Sequence, residues 1–192
     1  MRRSLASRYR PRHGGRIEPK RTERAMTTQL SVRYVSADDA LAKPLLADLE
    51  REYDGRYGEF FGERASAELN RYPASDFAPP YGAFLVILED GEPVAGGAFK
   101  RYDDRTAELK RVWTHPDHRG RGLGRRVVAE LEAAARHRGY TAVTLTTGPR
   151  QPEAVALYLA SGYTPRFDPS LPAEQIGIHA FDKSLVTEGV RA

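Results

Sequence analysis

The feature that most limits the fold of this chain is a strand, a glycine-rich loop and an amphipathic helix that follow one another between residues 106 and 139. Residues 106–114 have the pattern of a strand, and the loop comes directly after them. Apolar side chains then recur at helical spacing, at Leu123, Val127, Val128, Leu131, Ala134 and Ala135. Because an amphipathic helix buries its apolar stripe against another layer, this order predicts a sheet with the helix packed on one face.

The loop exposes backbone amides at the N-terminus of that helix. Gly120, Gly122 and Gly124 let the chain turn tightly and keep β-carbons away from an approaching anion. Positive charge surrounds them at Arg119, Arg121, Arg125 and Arg126. Unpaired amides and the helix dipole favour a phosphate group here, although a solvated glycine turn has the same composition. A Walker A loop is excluded by the lack of Gly-Lys-Ser or Gly-Lys-Thr, and a Rossmann fingerprint by Arg125 at its third glycine position.

The remaining predicted elements are strands and helices in a mixed order. They are a strand from residue 30, helices over 37–53 and 63–69, a loop over 72–80, strands over 83–88 and 93–102, a strand over 141–147, a helix over 153–160 and a strand within 175–185. Gly96-Gly97 predicts a bulge inside its strand. Alternation along the strand over 106–114 predicts two faces, one with Glu108, Lys110 and Val112 and the other with Leu109, Arg111 and Trp113. This order favours a single α/β (α+β) sheet with helices on its faces.

The charge of the chain divides into two parts. The 192 residues carry 30 Lys and Arg against 26 Asp and Glu, for a net charge of +4. Residues 1–25 hold nine basic and two acidic side chains, so residues 26–192 are net negative. We therefore expect a basic extension without stable structure over 1–25 and a single domain over 26–192. An acidic domain argues against a nucleic-acid partner.

The basic extension leaves three interpretations open: an upstream extension of a reading frame that starts at Met26, an electrostatic arm for acidic surfaces, and an organelle transit peptide.

The chain has no cysteine, which excludes disulfides and a cysteine nucleophile. Its longest apolar run, over 83–88, is far shorter than a membrane span. We expect a cytoplasmic protein with no membrane partner.

Two motifs resemble the GNAT superfamily of acyl-CoA-dependent N-acetyltransferases. The superfamily signature is Arg or Gln, two residues, Gly, one residue, and Gly or Ala, and residues 119–124 (RGRGLG) match it. Residues 151–163 (QPEAVALYLASGY) are similar to the helix that follows the fifth strand, with Gln151 where many members carry Asn. The resemblance spans about residues 30–185. It implies a mixed sheet that splays between the fourth and fifth strands, with helices on both faces.

The resemblance also implies where acetyl-CoA binds. The pantetheine arm is expected between the fourth and fifth strands, against the backbone of the fourth, and the pyrophosphate on the amides of the glycine-rich loop. The residues implied in cosubstrate binding are Val112, Trp113, Thr114, Arg119, Gly120, Arg121, Gly122, Leu123, Gly124, Arg125 and Gln151.

Two side chains are candidates for the chemistry. Attack of an amine on a thioester needs a base for the amine proton, a donor for the oxyanion and an acid for the leaving thiolate. The resemblance implies Tyr158 as the acid, with a core tyrosine as the alternative. It implies Glu108 as the base, directly or through water, with an ion pair to Lys110 or Arg111 as the alternative.

The acceptor is less constrained by the sequence. The resemblance implies that the amine lies against the first helix pair, the loop between those helices and the last strand hairpin. Side chains there that would suit a small cationic amine, with ordinary surface packing as the alternative, are Tyr53, Tyr57, Tyr81, Asp54, Glu59 and Asp168, with the region over 167–176. His115 and His118 lack a third convergent ligand, so no metal is expected.

The sequence therefore predicts an N-acetyltransferase that moves an acetyl group from acetyl-CoA directly to a primary amine of a small molecule. Alternatives are a protein N-acetyltransferase, a non-catalytic acyl-CoA sensor or interaction module, and a nucleic-acid-binding protein that acts through its arginine arm. Since dimers are common in the superfamily, a homodimer is a further expectation.

Overall fold

Seven strands form one sheet in the part of the chain that the computed structural model describes, which is residues 29–58, 60, 67, 69 and 71–186. The strands are β1 (Leu30–Tyr34), β2 (Ala83–Glu89), β3 (Glu92–Arg101), β4 (Thr106–Thr114), β5 (Ala142–Thr147), β6 (Thr164–Pro165) and β7 (His179–Ser184). Their order is β1-β2-β3-β4-β5-β7-β6, and every neighbouring pair is antiparallel except β4 and β5. The predicted mixed α+β class is confirmed.

Four α-helices accompany the sheet in the described residues: α1 (Lys43–Tyr57), α2 (Leu123–His137), α3 (Pro152–Ala160) and α4 (Ala173–Ile176). Short 3-10 turns lie at Ala40–Ala42, Ala74–Phe77 and Pro116–His118. The first helix begins later than the predicted residue 37, because the side chain of Asp39 accepts a hydrogen bond from the Leu41 amide at 2.8 Å and caps a 3-10 turn instead. The two-residue strand β6 was not predicted.

Two predicted segments lie outside the described residues. One is the basic extension over 1–25, and the other is most of the helix over 63–69. Among the described helices, none combines the length and the apolar character of a membrane span.

Apolar side chains cover both faces of the sheet. On one face, α2 and α3 pack on a cluster that includes Leu85, Ile87, Phe99, Leu131 and Phe181. On the other face, α1 packs on a cluster that includes Leu45, Leu49, Phe84, Val86 and Trp113. Since β2 is buried on both sides, its sequence is a continuous apolar run rather than an alternating one.

The predicted bulge at Gly96-Gly97 is present, but its extra residue lies in β4. Ala98 pairs with Lys110 and Gly96 pairs with Trp113, so two residues of β4 oppose Gly97 alone. One of them, Arg111, has a φ of +58°. A β-carbon on Gly97 would lie 2.9 Å from Cγ1 of Val127 in α2, which explains why glycine stands at this close approach.

The bulge corrects the alternation predicted for β4. Val112 packs with Leu109 in the cluster below α2, whereas Trp113 packs in the cluster below α1. The prediction of Val112 and Glu108 on one face is therefore wrong, because one inserted residue reverses the direction of every side chain after it.

Candidate active site

The strands β4 and β5 separate halfway along their length. Their parallel pairing runs from Thr106 and Ala142 to Leu109 and Leu145. Beyond this point β4 remains paired with β3 as far as Thr114, and β5 remains paired with β7 as far as Thr147. The last five residues of β4 therefore turn one edge, with its peptide groups, toward the gap between the strands.

A cavity of about 360 Å³ occupies this gap. It is lined by Leu49 and Glu52 of α1, by Val112, Trp113 and Thr114 of β4, by Arg119, Gly120, Gly122, Leu123, Gly124 and Arg125 of the loop and α2, and by Gln151, Glu153, Ala154, Leu157 and Tyr158 at α3. The structure thus brings together ten of the eleven residues predicted to bind the cosubstrate, and the predicted acid Tyr158. Arg121 and Glu108 are outside this lining.

The backbone of the loop depends on two glycines in the left-handed region. Gly120 has a φ of +74°, and Gly122, which caps the N-terminus of α2, has a φ of +77°. A β-carbon would meet nothing within 4 Å at either position, so backbone conformation, and not space, requires glycine here. At Gly124, by contrast, a β-carbon would lie 3.3 Å from Cδ2 of Leu157, where α2 approaches α3 closely. The free amides of the first turn of α2 give this end of the cavity a preference for anions.

Two arginines of the loop point in different directions. Arg119 lines the cavity; its Nη2 lies 2.7 Å from Oε2 of Glu52, and its Nε donates to the Thr114 carbonyl at 3.3 Å. Arg121 instead forms a bidentate pair with Glu89 at the end of β2. This guanidinium holds the pKa of the Glu89 carboxyl below its usual value. The side chain of Arg121 is thus paired with Glu89 and does not line the cavity.

A chain of ion pairs includes three residues of the cavity lining, Glu52, Arg119 and Glu153. Glu52 pairs with Arg119 on one side and with Arg56 on the other, where Nη2 and Oε1 are 2.8 Å apart. Arg56 also contacts the carboxylate of Glu153 in α3. Burial opposes the ionisation of Glu153, but the hydrogen bond and the charge of Arg56 outweigh it and hold the pKa of this carboxyl below its usual value. The network joins the loop, α1 and α3.

Sequence reasoning did not single out Glu52 or Glu153. The four-residue spacing of Glu52 and Arg56 is a local signal for a helix-surface pair. The contact of Glu52 with Arg119 joins positions 67 residues apart, and no local pattern indicates it.

Tyr158 belongs both to the cavity wall and to the core. Its side chain is 7% exposed, and its ring lies 5.7 Å, centroid to centroid, from the rings of Tyr163 and of Phe181. Burial, together with the nearby phenol of Tyr53, raises the pKa of Tyr158 well above its ordinary value. The phenol therefore remains protonated and is a hydrogen-bond donor at any physiological pH.

Glu108 forms ion pairs with two lysines. Its Oε1 lies 3.0 Å from Nζ of Lys110, and its Oε2 lies 3.0 Å from Nζ of Lys100 in β3. Both ammonium groups also lie over the ring of Tyr72. The alternative that pairs Glu108 with Lys110 matches these contacts, whereas Arg111 donates to the Leu69 carbonyl. Its role as the base stays a prediction.

Gln151 connects the end of β5 to α3. Its Oε1 accepts hydrogen bonds from Oγ1 of Thr147 at 2.9 Å and from the Gly148 amide at 3.3 Å. The side chain thereby fixes the turn that begins α3.

In the described part of the chain, no group of three or more His, Cys, Asp or Glu is arranged to hold a metal ion. His118 instead lies 3.0 Å from Glu89.

The sequence model of the acetyltransferase (GNAT) family matches residues 46–163, a range that includes the whole lining of the cavity. The chain belongs to the GNAT acetyltransferase family. It is an acyltransferase of the N-acetyltransferase type.

Proteins similar to this GNAT acetyltransferase are also described as acetyltransferases or acyltransferases. This chain is 33% identical over 109 residues to an IAA acetyltransferase of Azospirillum brasilense, across 56% of this chain and 71% of that protein. It is 30% identical to a solved structure from Klebsiella pneumoniae described as an acyl-CoA N-acyltransferase, with a TM-score of 0.61 and coverage of 82% and 98% of the two chains. A Thermoplasma acidophilum paia N-acetyltransferase, solved in complex with coenzyme A, has the same fold at 16% identity, with a TM-score of 0.61 and coverage of 81% and 99%.

The residues predicted on the acceptor side of this GNAT acetyltransferase do not all lie together. The rings of Tyr53 and Tyr57 are 6.3 Å apart on α1, the helix that also supplies Glu52 to the cavity. Tyr81 contacts Arg101, which pairs with Ala107 near the start of β4. The start of β4 is about 20 Å from its cavity end by the rise of a strand, so Tyr81 lies away from the cavity.

Of the acidic residues predicted near the acceptor, neither Asp54 nor Asp168 lines the cavity. Asp168 accepts hydrogen bonds from the amide and hydroxyl of Ser170, and these hold the pKa of its carboxyl below the usual value. Glu59 lies outside the described residues.

Proposed function

We propose that this GNAT acetyltransferase transfers an acetyl group from acetyl-CoA directly to a primary amine of a small molecule in a ternary complex. The observation that carries the proposal is the cavity between β4 and β5. One end of it is the glycine-rich N-terminus of α2, and its wall includes the protonated phenol of Tyr158.

The cavity has the chemistry that acetyl-CoA needs. Peptide groups on the free edge of β4, at Val112, Trp113 and Thr114, would pair with the amide groups of the pantetheine arm. The amides of the loop would hold the pyrophosphate, and Arg119 would add a cation. The coenzyme A found with the Thermoplasma relative supports this choice of cosubstrate.

The proposed reaction uses Tyr158 of the cavity wall and a base that lies outside the lining. The lone pair of a neutral amine attacks the thioester carbonyl carbon, and the carbon–sulfur bond breaks as the amide forms. Tyr158 gives its phenolic proton to the departing thiolate and is reprotonated from solvent. The amine proton passes to a base, for which Glu108 is the candidate, directly or through water. Because the chain contains no cysteine, an acyl-cysteine intermediate is not available, which supports direct transfer.

The choice of a small amine rests on the side chains beside the cavity. Aromatic rings of Tyr53, Tyr57 and Phe60 follow one another along and beyond the end of α1. Such rings bind the apolar body and the cationic form of an amine. The carboxylates of Glu52 and Glu153 also line the cavity, each paired with an arginine.

The first test is calorimetric titration of the full chain with acetyl-CoA, followed by a screen of amines and peptides for release of free CoA. We expect saturable binding and release with at least one small amine. A folded protein that fails to bind at millimolar acetyl-CoA would refute the proposal. Binding without release would favour an acyl-CoA sensor, and release with peptides alone would favour a protein N-acetyltransferase.

The second test is Tyr158→Phe, with Tyr102→Phe as the matched control because Tyr102 is 65% exposed in the turn between β3 and β4. Loss of a general acid lowers kcat by about 10²- to 10⁴-fold, whereas acetyl-CoA affinity should change by less than about twofold. The control should retain full kcat. Unchanged turnover in Tyr158→Phe would assign the acid to another group.

A further inference from the structure

A largely buried ion pair outside the cavity lining contacts the turn that follows Tyr158. Lys183 of β7 places its Nζ 2.8 Å from both carboxylate oxygens of Glu132 in α2. The Glu132 side chain is only 6% exposed and that of Lys183 25%. The same Nζ donates to the carbonyl of Ser161 at 2.8 Å. One ammonium group therefore joins α2, β7 and the residue that ends α3.

The end of α3 is also the segment that carries Tyr158. The Ser161 amide donates to the carbonyls of Leu157 and Tyr158, at 2.9 and 3.1 Å, and the Tyr163 amide donates to the Tyr158 carbonyl at 3.0 Å. Lys183 thus holds, through Ser161, the turn that fixes the backbone of Tyr158.

A second route reaches the ring itself. The ring of Tyr163 stands edge-on to the ring of Tyr158, with centroids 5.7 Å apart. Nζ of Lys183 lies over that Tyr163 ring, 5.4 Å from its centroid. The ion pair therefore supports both the backbone and one face of the aromatic neighbourhood of Tyr158.

The geometry uses the full capacity of the ammonium group. Its three N–H donors match three acceptors, two carboxylate oxygens and one carbonyl. Buried ion pairs contribute little net stability compared with apolar side chains of similar size, but they demand a specific geometry. The value of such a pair at this point is the orientation that it imposes on α3.

We propose that the Glu132–Lys183 pair is a positioning device that holds the Tyr158 phenol in the geometry for proton donation to the leaving thiolate. The inference rests on the proposed function, in which Tyr158 is the acid. It assigns a role in turnover to two residues that do not line the cavity.

The test replaces the pair as a unit in the full chain. Lys183→Met alone leaves the buried Glu132 carboxylate with only the exposed Arg136, 4.0 Å away, as a charged partner. This single variant is prone to unfold, so the principal variant is Lys183→Met with Glu132→Leu, which restores an apolar contact. The matched control is Asp182→Asn, because Asp182 is the neighbouring residue of β7 and its pair with Arg166 at 3.2 Å is exposed. We expect the apolar double variant to bind acetyl-CoA with unchanged affinity and KM, while kcat falls about tenfold or more. The control should retain the wild-type kcat.

A double-mutant cycle with Tyr158→Phe distinguishes a positioning role from a nonspecific loss of structure. In the Tyr158→Phe background the apolar pair should lower kcat by less than twofold, because the group that it positions is already absent. Equal losses in both backgrounds, or an apolar variant with the wild-type kcat, would overturn the positioning role and leave Tyr158 as the acid. An unchanged kcat in Tyr158→Phe would instead overturn the acid role and, with it, this inference.

Discussion

The carboxylate of Glu52 is already paired with Arg119, the arginine that we propose to bind the pyrophosphate of acetyl-CoA. Its Oε2 lies 2.7 Å from Nη2 of Arg119, at the end of the cavity formed by the glycine-rich loop. In the proposed complex, acetyl-CoA competes with the Glu52 carboxylate for this guanidinium. We expect Glu52→Gln, which keeps the shape but removes the charge, to bind acetyl-CoA more tightly than the wild type.

The expected gain in acetyl-CoA affinity follows from the solvent exposure of the Glu52–Arg119 pair. The side chain of Arg119 is 44% exposed and that of Glu52 20%, so solvent screens much of their attraction. Pairs of this kind contribute about 0.2–1 kcal/mol. Removal of that competition should strengthen acetyl-CoA binding by about 1.4- to 5-fold. Arg56, the other partner of Glu52, keeps its contact with Glu153, which limits the damage to the network.

The assay is calorimetric titration, with fluorescence of Trp113, the single tryptophan of the chain and a residue of the cavity wall, as a second readout. The matched control is Glu130→Gln, which removes the same charge from the Arg126–Glu130 pair on α2. The gain should diminish as ionic strength rises. Equal affinities in Glu52→Gln and wild type, or an equal gain in both variants, would refute the reasoning.

Two further predictions concern stability. Gly122→Ala should lower the free energy of unfolding by about 1–2 kcal/mol because its φ of +77° is unfavourable for an L-residue, whereas Gly55→Ala, in open space on α1, should raise it by about 0.5–1 kcal/mol. Urea titration measures both, and a loss of the same size at both positions would contradict the conformational reason. Burial raises the pKa of Tyr158, so the stability linked to its protonated form is complete below about pH 10, the pKa of a free phenol, and is lost as pH rises above it. Above pH 10 the free energy of unfolding should fall more steeply in the wild type than in Tyr158→Phe, by up to about 1.4 kcal/mol per pH unit, and equal slopes would contradict this assignment.

Several elements follow directly from local sequence. The strand over Thr106–Thr114 has the bounds that its pattern predicts, and α2 starts at the first apolar residue after the loop. The glycine-rich loop adopts the left-handed turns that its composition allows. These features depend on periodicity and on conformational preferences of single residues, which a short segment contains in full.

The bulge is an intermediate case. Gly96-Gly97 indicates the place of the irregularity, but the inserted residue with positive φ is Arg111 on the partner strand. Which strand accommodates the extra residue depends on packing against both helices, since Gly96 faces Leu45 of α1 and Gly97 faces Val127 of α2. Local sequence contains neither neighbour.

The sequence by itself determined the order of the strands and helices, the glycine-rich loop and the place of Tyr158 on the helix after β5, because each depends on the periodicity and conformational preferences of short segments. Tertiary structure decided which charges meet. Glu52 faces Arg119 across 67 residues, and Lys183 reaches Glu132 across 51. It also decided that Tyr81 lies at the opposite end of β4 from the cavity. The physical reason is that an ion pair depends on distances of a few ångströms between side chains, which the pairing of strands and helices fixes only once the whole sheet has formed.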